Sequence, residues 1–427
     1  MNALLIFILV LFFLLALRVP IFVSLGLSAV VVWIYVLKTL NPEFLMQKMF
    51  VGVDSFTLMA IPLFMLTGEL MNSGGVSRRL VEFSQSIVGW IRGGLGFVVI
   101  LTCMFLAAIL GSSSACSAMV GVILIPAMVD RGYRLDFASA LVASSGGIGP
   151  LIPPSVPLLI YAITASQSVR SLFIAGYMPG FLVGFAFMIY TYIYARKNNY
   201  PAEAKPTVKT FFKSLFSALV PLFLPIIIMG GILSGVFTAT ESAAVAVLYS
   251  FIVGVFLYRE LKLKDIFNVF LRAAETTGMM LVVLASASFL AYALTLAKVP
   301  QIITAILLDL TSNRIVFLLL VNFVLIIAGM FLDAVCAIVI LVPVFLPAAL
   351  SLGIDPVYFG VMTTVNLMIG VLTPPVGLNL FVTSAIAKID ILRLSKAVMP
   401  FIAMYCGIIL LMIFFPEIIM FLPGLLG

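Results

Sequence analysis

The sequence predicts an all-α polytopic membrane protein. It is built as two inverted-topology repeats, each with about five spans, one re-entrant hairpin and one broken helix. Composition is the first observation: the 427 residues are 64% hydrophobic and 9% charged, whereas a soluble domain is about 45–50% apolar and about 25% charged. The second is an internal shift. Moving the chain by 221 residues superposes its helix-breaking residues, bringing Pro126, Gly132 and Gly149 onto Pro347, Gly353 and Gly370. The same shift brings Pro153 and Pro154 onto Pro374 and Pro375, so "GPLIPPSV" and "GVLTPPVG" are one element used twice. The third is parity: if each half crosses the bilayer an odd number of times, the halves must be inverted.

The elements follow in order. Apolar runs at 1–17, 20–38 and 53–72 are long enough to span. The first run lacks a basic start and a small-residue cleavage site, so it is expected to be a retained span. Residues 73–92 mix charges with apolar positions and read as an interfacial helix. A hairpin over about 94–133 turns at Gly111–Ser114, a broken helix covers about 136–165, and a span at 174–195 closes the first repeat (1–195). The polar stretch 196–213 is the linker. The second repeat (214–427) has spans at 214–232, 236–257 and 268–297 and an interfacial segment at 299–313. A hairpin follows over about 315–350, then a broken helix over about 355–387 and a span at 398–420. In "GVFTATESAAVAV", Thr240 or Ser242 is expected to cap the helix that follows, with Glu241 favouring its N-terminus.

With the linker placed in the cytoplasm, 18 Lys and Arg fall on that side and 5 on the other. The positive-inside rule supports this orientation, and both termini then face outward. The same distribution explains the net charge of +7 through short loops, so nucleic acid is not an expected partner. The sequence has no histidine and no GxxxxGK[ST], which removes His-based catalysis, His proton relays and a P-loop. An enzyme is not expected. Cys103, Cys116, Cys336 and Cys406 form no CxxC and read as small packing residues.

Proline removes a backbone donor and clashes with the preceding turn. In lipid the freed groups are tolerated only against protein or a water-filled cavity. Two equivalent breaks in two inverted halves therefore point to a midplane site, where half-helix N-termini attract anions and unwound carbonyls coordinate cations. The candidate ligands are Ser112, Ser113 and Ser114 at the first hairpin tip, and Ser144, Ser145, Gly146 and Gly149 at the first break. The second half supplies Asp333 at its hairpin tip, with Asn366, Gly370 and Thr373 at its break. The shift pairs Ser112 with Asp333 and Ser145 with Asn366, and these four are the Na⁺ candidates because their oxygens are hard ligands. An intramembrane carboxylate such as Asp333 is a functional candidate by default.

"GVFTATESAAVAV", "GSSSACSAMVGVILIPAMVDRGY", "GGIGPLIPPSVPLLIYA" and "GVLTPPVGLNLFV" resemble, in the expected order, the DctM-type large membrane subunit of tripartite ATP-independent periplasmic (TRAP) transporters. The resemblance implies an elevator-type architecture and Na⁺-driven uptake of an organic acid, such as a C4-dicarboxylate or a sugar acid like sialic acid. It implies a bacterial inner-membrane location, a small four-helix membrane subunit as a separate chain, and a periplasmic substrate-binding protein. No other cofactor is implied. A stand-alone dicarboxylate or ion symporter and an ion channel are the competing readings. The two hairpins and two broken helices are expected to move as one unit against a scaffold formed by the remaining spans.

Overall fold

A computed structural model describes residues 3–39 and 41–426; the outermost ends of the two predicted repeats, residues 1, 2 and 427, lie outside the described residues. Every regular element in them is helical. The first half runs α1 (Ala3–Ala16), α2 (Ile21–Leu37), α3 (Pro42–Val51), α4 (Ala60–Ser73) and α5 (Val76–Val88). The hairpin is α6 (Gly94–Leu110) and α7 (Ser113–Asp130), the broken helix is α8 (Leu135–Gly146) and α9 (Val156–Thr164), and α10 (Val169–Lys197) follows. The second half runs α11 (Val208–Leu233), α12 (Ala239–Ile252), α13 (Leu263–Leu296) and α14 (Val299–Leu310). Its hairpin is α15 (Arg314–Phe331) and α16 (Ala334–Ser351), its broken helix α17 (Pro356–Gly370) and α18 (Leu378–Ala387), and α19 (Ile391–Phe414) and α20 (Glu417–Leu426) close the chain. Seven helices among the described residues are 18 or more residues long and apolar enough to cross a bilayer. The chain is a multi-pass membrane protein.

The 221 shift maps helix onto helix. Ser113 and Asp130, the ends of α7, map onto Ala334 and Ser351, the ends of α16. One pair departs from the shift. α3 and α4 map onto α13, which runs unbroken for 34 residues. In the first half Gly52 to Phe56 interrupts that path. The sequence reading passed over α3, although Asn41 caps it, accepting from the Phe44 N–H at 3.2 Å, and Pro42 opens it. The cap of α12 is also revised. Thr238 is the N-cap residue and forms a reciprocal capping box with Glu241, while Thr240 donates to the Phe56 carbonyl at 2.9 Å.

Packing sorts the helices into two sets. In one, α2 lies on α1 and α13, α4 on α12 and α13, α3 on α13, and α11 on α12. The other contains the two hairpins and the two broken helices, with α18 seated on α7 and α8, and α16 on α9. The expectation that spans 174–195 and 398–420 belong to the scaffold is corrected here. α10 packs on α6, α9, α17 and α19, and α19 packs on α8, α15, α17 and α18, so both join the hairpin set. Buried tyrosines tie its halves together: Tyr161 donates to the Pro356 carbonyl at 2.6 Å and Tyr405 to that of Ser144 at 3.2 Å. Such buried hydroxyls find partners because an unpaired one in an apolar core is costly. The two sets meet directly where α13 touches α16 and α4 touches α6, and through the lateral helices α5 and α14.

Candidate functional site

Both hairpins turn tightly. Gly111 takes φ +60, a left-handed conformation that glycine adopts without penalty, and delivers Ser112 to the start of α7. A Cβ on Gly111 would stand 2.6 Å from the Pro154 carbonyl oxygen, so the first tip lies directly on the first break. At the second tip Asp333 is the N-cap residue of α16, accepting from the Val335 N–H at 3.2 Å. A carboxylate suits a helix N-terminus because the unpaired N–H groups carry partial positive charge.

The two tips and the two breaks face one cavity of about 720 Å³. The tips contribute Gly111 to Ser114 and Asp333 to Cys336. The breaks contribute Pro150, Val156, Pro157, Met368 and Leu378. The opposite wall is mostly apolar and comes from the other helix set: Thr276, Gly278, Met279, Met280, Val282 and Val283 of α13, with Pro20, Ile21 and Phe22 at the start of α2. Asp333 is the charged residue in this lining. The polar wall and the apolar wall therefore belong to different packing sets.

Of the residues singled out in the sequence, Ser112, Ser113, Ser114 and Asp333 reach the cavity. The others stand behind it or beside it. Ser144 and Ser145 are fully buried, and their hydroxyls have no partner among the described residues. Gly146 faces Ser117, and a Cβ there would overlap its hydroxyl. Gly149 lies on the Ser112 carbonyl, and Gly370 packs against the backbone of Gly329. Pro153 and Pro154 are buried in the first break, whereas Pro374 is half-buried and Pro375 exposed in the second. Thr373 donates back to the Ile369 carbonyl of its own helix at 2.7 Å. Asn366 is fully buried and gives its amide N–H to the Asn322 side chain at 2.7 Å and its carbonyl at 3.0 Å. That amide serves the hairpin arm α15, and its Oδ1 has no partner among the described residues.

The sequence reading missed Asn322, Asn379 and Thr276. Asn379 at the start of α18 donates to the Ala143 carbonyl of α8 at 3.0 Å, joining the two breaks across 236 positions of sequence. The available signal was an asparagine inside an apolar run, which needs a buried partner.

Comparison with known proteins shows the family and the fold. Residues 8–418 match the family described as tripartite ATP-independent periplasmic transporter, DctM component. The chain is 42% identical over 407 residues to an isethionate TRAP transporter permease protein, DctMQ, of Oleidesulfovibrio alaskensis, covering 95% of this chain and 64% of that protein. It is also 42% identical over 404 residues to the C4-dicarboxylate TRAP transporter large permease protein DctM of Pseudomonas aeruginosa, covering 95% of this chain and 94% of that one. Among solved structures, the YdaH transporter of Alcanivorax borkumensis shares the fold, with a TM-score of 0.62 at 16% identity over 88% of each chain.

Proposed function

Given that the chain belongs to the TRAP transporter DctM family, we propose that it is the large permease of a Na⁺-driven uptake system for a small organic anion. The observation that carries this reading is the single cavity reached by both hairpin tips and both helix breaks. Hydroxyl, carboxylate and unwound carbonyl oxygens at such breaks are hard donors suited to Na⁺. Ser112 and Asp333 hold the ion from the cavity side, with Ser145 and the Asn366 Oδ1 behind them. A bound cation beside the α7 and α16 N-termini then supplies the positive field that an organic carboxylate or sulfonate needs. The relatives described above are named for C4-dicarboxylate and isethionate; an anion of that size, or a sugar acid, is the proposed cargo. A periplasmic binding protein delivers it, and a small membrane subunit accompanies the permease.

The Lys and Arg distribution supports an orientation with both termini in the periplasm, in the inner membrane that the family suggests. In that orientation Pro20–Phe22 marks the cytoplasmic side, so this arrangement is open to the inside. A cavity of about 220 Å³ remains on the outer side, between Leu58, Ser288 and Ala291 of one set and Ile160, Val339 and Pro343 of the other. Transport then consists of the hairpin set, together with α10 and α19, sliding along the apolar wall of α13.

The test is uptake into vesicles containing the permease and its small subunit, with loaded binding protein outside. Accumulation should follow an inward Na⁺ gradient and need no ATP. Equal accumulation with choline in place of Na⁺ and an imposed proton gradient contradicts Na⁺ coupling.

A further inference from the structure

We infer that Arg272, held by Glu69 beside the cavity, is the anion-receiving residue on the cytoplasmic release path and exchanges its carboxylate partner for the substrate's. The inference rests on the reading of the cavity as the transport site. Arg272 lies on α13 one turn before Thr276, so it shares the helix stripe of Thr276 and Met280, which line the cavity. Its Nε donates to a Glu69 carboxylate oxygen at 3.1 Å and its Nη2 to the Ser73 hydroxyl at 3.1 Å, both on the neighbouring α4. Arg272 is about half exposed.

Glu69 is the more covered partner, and with Asn72 it lines a second cavity, of about 170 Å³. The far wall of that space is the first hairpin, including Ser112, Ala115 and Met119. Ser112 lines both cavities, so the hairpin tip stands between the transport site and the Glu69–Arg272 pair.

The charges explain why a receiving residue is placed there. The lining of the large cavity contains a carboxylate and no basic side chain. Once the cations leave, an organic anion in it faces Asp333 with only the partial charges of the α7 and α16 N-termini to offset the repulsion. Arg272 is a guanidinium on the adjoining stripe, and its remaining N–H groups fit a carboxylate or sulfonate. Glu69 keeps the guanidinium occupied between cycles. An incoming anion that takes over the Nε contact leaves Glu69 free, and the residue resets when the anion escapes to water.

The experiment uses the permease with its small subunit and binding protein in vesicles loaded with graded unlabelled succinate or isethionate. The entry of labelled substrate gives the half-saturating internal concentration. Arg272→Gln should raise that concentration about tenfold, as expected for one lost charge-assisted hydrogen bond. Glu69→Gln should lower it, by about threefold, because the neutral amide releases the guanidinium. Arg272→Lys, which keeps the charge and loses the planar fork, should fall between wild type and Arg272→Gln. A purely structural ion pair makes Arg272→Gln and Glu69→Gln shift alike, and that result, or no shift, overturns the inference. If Arg272→Gln does not assemble, the fall expected for Glu69→Gln decides alone, with an unchanged or raised value as the contrary result. If wild type carries neither probe nor a sugar acid such as sialic acid, the assignment of the cavity to organic-anion transport fails, and this inference falls with it.

Discussion

The two halves of the site descend from one repeated element and are built to different tolerances. In the first half, residues 136–162 are buried without interruption, and the hairpin tip is pressed onto the break through Gly111 and Gly149. In the second half, Pro375 and Val376 are exposed, Asp333 stands open to the cavity, and Val376 donates to the Met330 carbonyl at 3.2 Å. At the cavity the first half is closed and offers no charged side chain, whereas the second is looser and carries the carboxylate. The difference puts the tighter packing at the first tip and break and the carboxylate at the second, within a set that is held together by shared contacts.

The largest expected effect separates the halves by stability. Gly111→Ala forces a side chain into a left-handed turn and onto the Pro154 carbonyl, which cannot yield. It should cost about 3 kcal/mol, from the αL penalty plus backbone displacement. Gly377 in the second break also has positive φ, but the atom nearest its added Cβ is the end of the Leu380 side chain. Gly377→Ala should cost about 1 kcal/mol. Melting curves in detergent check this, and equal shifts break the comparison.

Asn366→Ala comes next. It removes two buried hydrogen bonds to Asn322 and strands the Asn322 Oδ1, at a cost of about 2 kcal/mol. Ser145→Ala, its counterpart in the first half, removes a hydroxyl without a protein partner and should change stability by less than about 0.5 kcal/mol. The same melting assay reads both. A large loss for Ser145→Ala contradicts the expected order.

Charge gives the third effect. Asp333→Asn keeps the shape of the α16 cap and removes the carboxylate, so the half-saturating Na⁺ concentration for uptake should rise about tenfold, or about 1.4 kcal/mol. Ser112→Ala removes a neutral oxygen and should raise it about threefold, since a neutral donor contributes less than a charged one. A larger effect for Ser112→Ala reverses the assignment of charge to the second half. The smallest effect belongs to Pro375→Ala. The exposed ring touches little, and melting should move by under about 0.5 kcal/mol.

Much of this was legible in the sequence because lipid removes alternatives. Helix breakers are costly in an apolar medium, so their recurrence at 221 positions located both breaks and both hairpins, and the helix ends follow the same shift. Ser112 and Asp333 stood out as polar residues at the turns of apolar runs. The membership of α10 and α19 was not legible. Their composition resembles that of the scaffold spans, and only tertiary contact with α17, α8 and each other places them. The Asn322–Asn366 pair was hidden for a related reason, since its members are 44 positions apart and no local pattern joins them. α3 was passed over as a connection although the Asn41-Pro42 start signal was present. A search for spans does not register a ten-residue helix.

The central claim is that the hairpin set moves as one body past the wall of α13, and a covalent tie across that boundary tests it most directly. Ser288 of α13 and Val339 of α16 line the same outer cavity from opposite sides. Ser288→Cys with Val339→Cys, in a background lacking the four native cysteines and joined by a short bifunctional reagent, should abolish Na⁺-driven uptake. Each single cysteine treated alike should leave it intact, and a reducible reagent should allow full recovery, with the small subunit still bound throughout. Full transport in the tied protein would contradict the account.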